Sequence, residues 1–201
     1  MRRLLIVFVL LFAGCDQTIT IDFGTDVITQ PFRPDYDYPE FVEERPTVNL
    51  ETVFREENWL GPQREGSCVH ATLVMLLRWQ GQFEMADYWR KNHADGEWAS
   101  NLAAKMDRAG IRYAYTSRED DVSFLEWACA TRRGCGVAVR GRAHMVMLVH
   151  MDEENVCILD NNFPEEFKWM PRAVFMKDWL ESGSWAVTPV IGPPPPPLPF
   201  D

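Results

Sequence analysis

Apolar residues recur along this chain with two different periods, and the change of period marks the change of structure. From Cys68 to Trp79, Val69, Leu73, Leu76 and Leu77 repeat at the spacing of one helical face, and Gly81 follows as a stop. A second helix is predicted over Phe83–Asn92, with Phe83, Ala86, Tyr88 and Trp89 apolar. Ser100 offers a cap for a third, which runs to Ala109 and ends at Gly110. Ile111–Tyr115 reads as a short strand, and Asp120 or Asp121 can cap a helix carrying Val122, Phe124, Leu125 and Trp127. The runs then shorten and become β-rich: Gly136–Arg140, His144–Met151 and Asn155–Leu159, divided by turn residues such as Asp152-Glu153-Glu154. Pro171 suits the first turn of a last helix reaching Leu180, and Ser184–Val190 reads as a final strand. Helices first and strands afterwards predict an α+β domain, with N-terminal helices packed on an antiparallel sheet.

The flanks have no such period. Arg2 and Arg3 precede an unbroken apolar run, Leu4 to Ala13, which has the layout of a secretory signal over residues 1–14. That run is too short to span a bilayer ~30 Å thick as a lasting helix. Residues 15–48 are rich in Asp, Glu, Pro, Thr and Tyr and read as an acidic flexible tether. The folded domain is assigned to residues 49–191. Residues 192–201, Gly192 with five prolines and then Leu198-Pro199-Phe200-Asp201, form a proline-rich tail of polyproline II type.

Composition narrows the partners. The 201 residues suit one domain with appendages, and the formal net charge of −10 leaves no clustered basic surface for nucleic acid. A monomer is the expected state.

The chemistry concentrates in the segment Gly61-Pro62-Gln63-Arg64-Glu65-Gly66-Ser67-Cys68. Cys68 sits where a polar, glycine-containing loop enters an apolar helix, and free backbone N–H groups there favour a thiolate. Of the four histidines, His144 opens a strand, and Asp160 ends the next one. If the two strands pair through the turn at 152–154, Asp160 returns beside His144 and can orient its ring. Asn161 or Asn162 could orient the ring instead. His70, two residues past Cys68, should point elsewhere on the helix. Cys129 and Cys135 flank a short turn and read either as a disulfide or as two buried thiols. Cys157 reads as core.

These residues, taken in order, resemble the papain-like cysteine peptidases. The resemblance is greatest to the family that trims double-glycine leaders from bacteriocins, together with its stand-alone relatives. It rests on Gln63, then Cys68, then Ala71, Leu73 and Met75 along the helix, closed by Trp79-Gln80-Gly81. It continues with His144 opening an apolar strand, Asp160 sixteen residues later, and Trp169-Met170-Pro171 leading into Phe175 and Trp179. Val69, Ser67 and Asn161 depart from that family's usual residues, which bears on substrate range. The resemblance implies a papain-like fold and a cysteine peptidase acting on a peptide or protein substrate without cofactor or metal, with Cys68 as nucleophile, His144 as base and Asp160 as orienting acid. The Gln63 amide and the Cys68 N–H would form the oxyanion hole.

Phe12-Ala13-Gly14-Cys15 likewise resembles a bacterial lipobox, which implies lipidation at Cys15 and anchoring in a bilayer of the cell envelope. Asp16 resembles a retention signal for the periplasmic side of the inner membrane.

Overall fold

A computed structural model describes residues 51–191 and, as backbone, the strand Val27–Ile28. The signal and lipidation readings at residues 1–15, most of the tether and the proline-rich tail lie outside the described residues. The described elements are β1 (Val27–Ile28), α1 (Cys68–Trp79), α2 (Phe83–Asn92), β2 (Glu97–Trp98), α3 (Ala99–Arg108), β3 (Tyr113–Thr116) and α4 (Val122–Ala130), then β4 (Cys135–Val139), β5 (His144–Met151), β6 (Asn155–Asp160), β7 (Phe163–Pro171), α5 (Arg172–Glu181) and β8 (Ala186–Pro189). Helices and an antiparallel sheet in this order make an α+β domain. Among the described residues no helix is long and apolar enough to cross a membrane.

Six strands form one sheet in the order β3-β8-β4-β5-β6-β7. The central helix α1 lies between this sheet and α2. Its residues from Cys68 to Leu77 are all buried, so it faces protein on every side, as a helix at the middle of a domain must. Burial of Leu73, Leu76 and Leu77 stabilises the fold by roughly 1.5–3 kcal/mol each. Gly136 lets the helix come close to the sheet. A Cβ there would stand 2.1 Å from the Met145 methyl and 3.1 Å from that of Thr72. A side chain at 136 would therefore push β4 away from α1 at the level of the site.

The structure departs from the sequence pattern in four places. Residues 163–171 form the edge strand β7, although Trp169-Met170-Pro171 reads as an approach to a helix. Pro164 is tolerated because an edge strand leaves one row of backbone groups unpaired. Ser100 is no cap: α3 starts one residue earlier, after the extended Trp98 of β2. Strand β3 lies two residues later than Ile111–Tyr115 suggests, because Ile111 is drawn into the core with Leu102 and Met106. Finally, Val27–Ile28, inside the tether, pairs antiparallel with Trp98 and Glu97.

Candidate active site

The site is assembled where the start of α1 meets the start of β5 and the end of β6. Cys68 is the first residue of α1, with Ser67 as its N-cap. The Ser67 hydroxyl does not cap the helix; it accepts a hydrogen bond from the Asp95 N–H at 2.7 Å. Asp95 in turn holds the loop before the helix. Its Oδ1 accepts from the N–H of Gln63 at 2.9 Å and more weakly from that of Glu65 at 3.4 Å. Its carboxyl lies against Gly61 so closely that a Cβ there would be 2.1 Å from Oδ1. The loop is a small hairpin closed by the Leu60–Gly66 bridge. One arm feeds Cys68, and the other is fixed to the end of β6, because the Asn58 N–H donates to the Asn161 carbonyl at 2.7 Å.

β5 and β6 pair antiparallel across the 152–154 turn, with a bulge between Leu148 and His150. A two-residue link, Asn161-Asn162, then joins β6 to β7, with Asp160 opposite Phe163. This brings Asp160 next to the beginning of β5. The Nε2 of His144 lies 2.7 Å from Asp160 Oδ1, and both side chains are fully buried. The carboxylate accepts at Nε2, so the tautomer is Nε2–H and Nδ1 carries the lone pair. Among the described residues Nδ1 has no hydrogen-bond partner.

Asn161 connects this pair to Cys68. Its Nδ2 lies 3.3 Å from the Cys68 carbonyl, 3.0 Å from Thr72 Oγ1 and 2.8 Å from the Met145 carbonyl. Thr72 donates to the same Met145 carbonyl at 2.9 Å. One amide thus ties the carbonyl of Cys68, in the first turn of α1, to that of Met145, the residue after His144. Cys68, Ala138 and Met145 also share one apolar cluster.

The loop before His144 is strained. Arg140, Gly141 and Arg142 have φ of 58°, 61° and 70°, and a non-glycine residue in that region costs on the order of 1–3 kcal/mol. The end of α5 holds it there. Asp178 Oδ1 accepts from the Arg140 N–H at 2.6 Å, Ser182 Oγ accepts from the Gly141 N–H at 2.8 Å, and Arg142 donates to the Ser182 carbonyl at 3.0 Å.

Burial dominates the electrostatics. It lowers the basicity of His144 to about 3, with the nearby positive charge of Arg140 acting the same way. Burial likewise raises Asp160 well above an ordinary carboxylate, opposed by the Asn162 N–H and Lys168. The closed site favours a neutral imidazole and opposes its protonation.

Among the residues singled out from the sequence, the structure pairs His144 with Asp160 and ties the Cys68 carbonyl to the start of β5 through Asn161, while the His144 Nδ1 makes no hydrogen bond to the Cys68 thiol. It gives Asn161 and Asn162 other work than orienting the ring. Asn161 is the bridge just described. The Asn162 N–H donates to Asp160 Oδ1 at 2.8 Å, and its side-chain oxygen accepts from Asn58 at 3.0 Å. Gln63 stands apart, exposed at the tip of the hairpin. Among the described residues its side chain makes no hydrogen bond to the other three. Cys129 and Cys135 are two buried thiols and not a disulfide, one in the last turn of α4 and one opening β4 under the second apolar cluster. Burial pushes Cys129 up to about 12 and Cys135 higher than an ordinary thiol. Cys157 is core, opposite His150. No group of three or more His, Cys, Asp or Glu among the described residues is placed to hold a metal ion.

The sequence pattern does not single out Thr72, Asn58 or Asp95. Thr72 carries a signal nonetheless, since it is a polar residue one helical turn after Cys68 in an otherwise apolar run. Comparison with protein-family models, with curated proteins and with solved structures returns no match to this chain.

Proposed function

We propose that this chain is a papain-like cysteine peptidase that hydrolyses peptide bonds through Cys68, His144 and Asp160. The observation that carries the reading is a histidine whose Nε2 is committed to a buried carboxylate while Nδ1 is left open, in a strand tied by Asn161 to the carbonyl of Cys68. Three groups in those roles are what nucleophilic acyl chemistry requires. As the sulfur attacks the peptide carbonyl, Nδ1 takes the thiol proton. The resulting imidazolium, stabilised by Asp160, gives that proton to the leaving amine. His144 then deprotonates water, which cleaves the thioester and frees the acid and the thiol. The Cys68 N–H at the helix start, with the Gln63 side-chain amide, would receive the oxyanion.

A second reading is a peptide-binding module of the same fold with no turnover. The full burial of Cys68, His144 and Asp160 and the exposed position of Gln63 favour it. A peptidyl electrophile such as an acyloxymethyl ketone separates the two. The peptidase reading expects a thioether adduct on Cys68 that is absent in His144→Ala, together with cleavage of members of a peptide library. Saturable peptide binding with neither adduct nor cleavage would leave the binding module. The chain is further proposed to be held in the bacterial cell envelope by lipid on Cys15. Incorporation of labelled palmitate, lost in Cys15→Ser, is the corresponding test.

A further inference from the structure

The hairpin that carries Gln63 has nothing apolar to hold it. None of its residues from Leu60 to Gly66 belongs to an apolar cluster, and Leu60 is 52% exposed. A segment that buries no hydrophobic surface keeps one position only through its hydrogen bonds. Within the hairpin the Gly61 N–H donates to the Glu65 carbonyl at 3.0 Å, and the Arg64 N–H to the Gly61 carbonyl at 2.9 Å. A further set comes from outside the hairpin and converges on the loop after α2.

Asp95 is the centre of that set. Its Oδ1 accepts from the Gln63 N–H at 2.9 Å and from the Glu65 N–H at 3.4 Å, and its own N–H donates to the Ser67 hydroxyl at 2.7 Å. The next residue adds a contact in the same direction, the Gly96 N–H donating to Glu65 Oε2 at 3.3 Å. One residue therefore touches both the turn that presents Gln63 and the residue that precedes Cys68. Asp95 is itself buried, with a backbone φ of 65°. A left-handed backbone is uncommon for a residue with a side chain, and a buried carboxyl is tolerated only where hydrogen bonds meet it. The hairpin N–H groups meet it here. The fit is close, since a Cβ at Gly61 would stand 2.1 Å from Asp95 Oδ1.

We infer that Asp95 is a positioning residue of the candidate site, which fixes the Gln63 turn relative to Cys68. The inference rests on the peptidase reading, in which the Gln63 side-chain amide and the Cys68 N–H stabilise one oxyanion. Asp95 touches neither substrate nor reacting atoms and acts through Gln63. Its effect therefore belongs to reactions that form an oxyanion and is absent from those that do not. Peptide hydrolysis forms one when the Cys68 sulfur adds to the carbonyl carbon and the carbonyl π electrons move to oxygen. Alkylation by iodoacetamide forms none: the sulfur displaces iodide at a saturated carbon, and the thiol proton is lost to base.

The test compares these two reactions in variants of the full chain. Asp95→Gly removes the carboxyl, keeps the N–H to Ser67 and accepts the left-handed φ without strain. For a peptide that the natural chain cleaves, it should lower kcat about 10²-fold, the loss that follows removal of one oxyanion donor. KM and the rate of Cys68 alkylation by iodoacetamide should stay within about threefold of the natural chain. Gln63→Ala should show the same loss of kcat, and the double variant no more than either alone, because both changes disable one donor. Asp95→Asn keeps an oxygen acceptor in place and should bring kcat back to within about fivefold of the natural chain. Gly61→Ala gives a second check, since its Cβ would drive the Asp95 carboxyl aside while leaving Asp95 in the chain; it should reproduce the loss seen in Asp95→Gly. Unchanged kcat in Asp95→Gly or Gly61→Ala, losses that multiply in the double variant, or alkylation that slows in step with hydrolysis would overturn the inference and leave the peptidase reading standing. A natural chain that is alkylated at Cys68 but cleaves no peptide would remove the peptidase reading and this inference with it.

Discussion

Two histidines in this molecule share every bulk property and differ in one local detail. His70 and His144 are both fully buried, and burial lowers both to about 3. His70 projects from α1 toward α2. Its Nδ1 accepts from Trp89 Nε1 at 3.2 Å, and its Nε2 lies 4.0 Å from Glu97, whose carboxylate is engaged by Lys105. The Trp89 ring is stacked on His93 at 4.0 Å, so the whole cluster is packed in place. In His144 the roles are reversed. The Asp160 carboxylate faces Nε2, and Nδ1 is the nitrogen without a hydrogen-bond partner among the described residues, in a strand tied by Asn161 to the helix that begins at Cys68. Depressed basicity and burial therefore do not by themselves mark a catalytic histidine. The distinguishing feature is a carboxylate within hydrogen-bond distance of the His144 Nε2, whereas the His70 ring is held instead by an indole N–H on Nδ1.

Substitution at each ring should separate the two most widely. Replacing His144 with Ala should lower kcat for peptide hydrolysis by about 10⁴-fold, while His70→Gln, which keeps an acceptor for Trp89, should change it by less than about fivefold. Steady-state kinetics on one peptide substrate compares the two. Asp160→Ala should cost on the order of 10²–10⁴ in kcat, because no acceptor then faces Nε2 to enforce the Nε2–H tautomer. A change in the other cluster, Glu97→Gln, should leave kcat within a few fold.

Stability should respond the opposite way. Trp89→Phe removes the donor to His70 and should destabilise the fold by roughly 1–3 kcal/mol in urea unfolding, with kcat preserved. Asn161→Ala should destabilise by a similar amount and also lower kcat, since it frees α1 from β5. A further effect is in pH dependence. A histidine whose pKa is depressed in the folded state gives its full stabilisation above the unfolded value of 6.5. That stabilisation is lost as pH falls from 6.5 toward about 3. In His70→Gln the slope of stability against pH in that window should flatten by up to about 1.4 kcal/mol per pH unit, one proton's worth.

Much of the frame was legible along the chain. Helices α1 and α2 and strand β5 begin and end where the apolar periods do, because each is bounded by glycine or turn residues and fills its face with large side chains. The approach of Asp160 to His144 was also legible, since a short hairpin fixes it locally. What escaped was non-local. The pattern of β7 is broken by Pro164, Glu165 and Glu166, which only an edge position permits. The insertion of β8 between β3 and β4 joins segments far apart in sequence, and no local pattern records it. The different fates of His70 and His144 depend on Trp89, Glu97 and Asn161, none of which is near its partner in the chain. The exposure of Gln63 follows from the Leu60–Gly66 bridge and the Asp95 carboxyl, a loop geometry fixed from outside the loop.

The decisive measurement is the rate at which iodoacetamide alkylates Cys68 at pH 7, followed by mass spectrometry, in the natural chain and in His144→Ala and His70→Gln. If the open nitrogen of His144 takes the thiol proton, the natural chain and His70→Gln should react alike, and His144→Ala about 10²-fold more slowly, in keeping with a positioned general base. Equal rates in all three would contradict it.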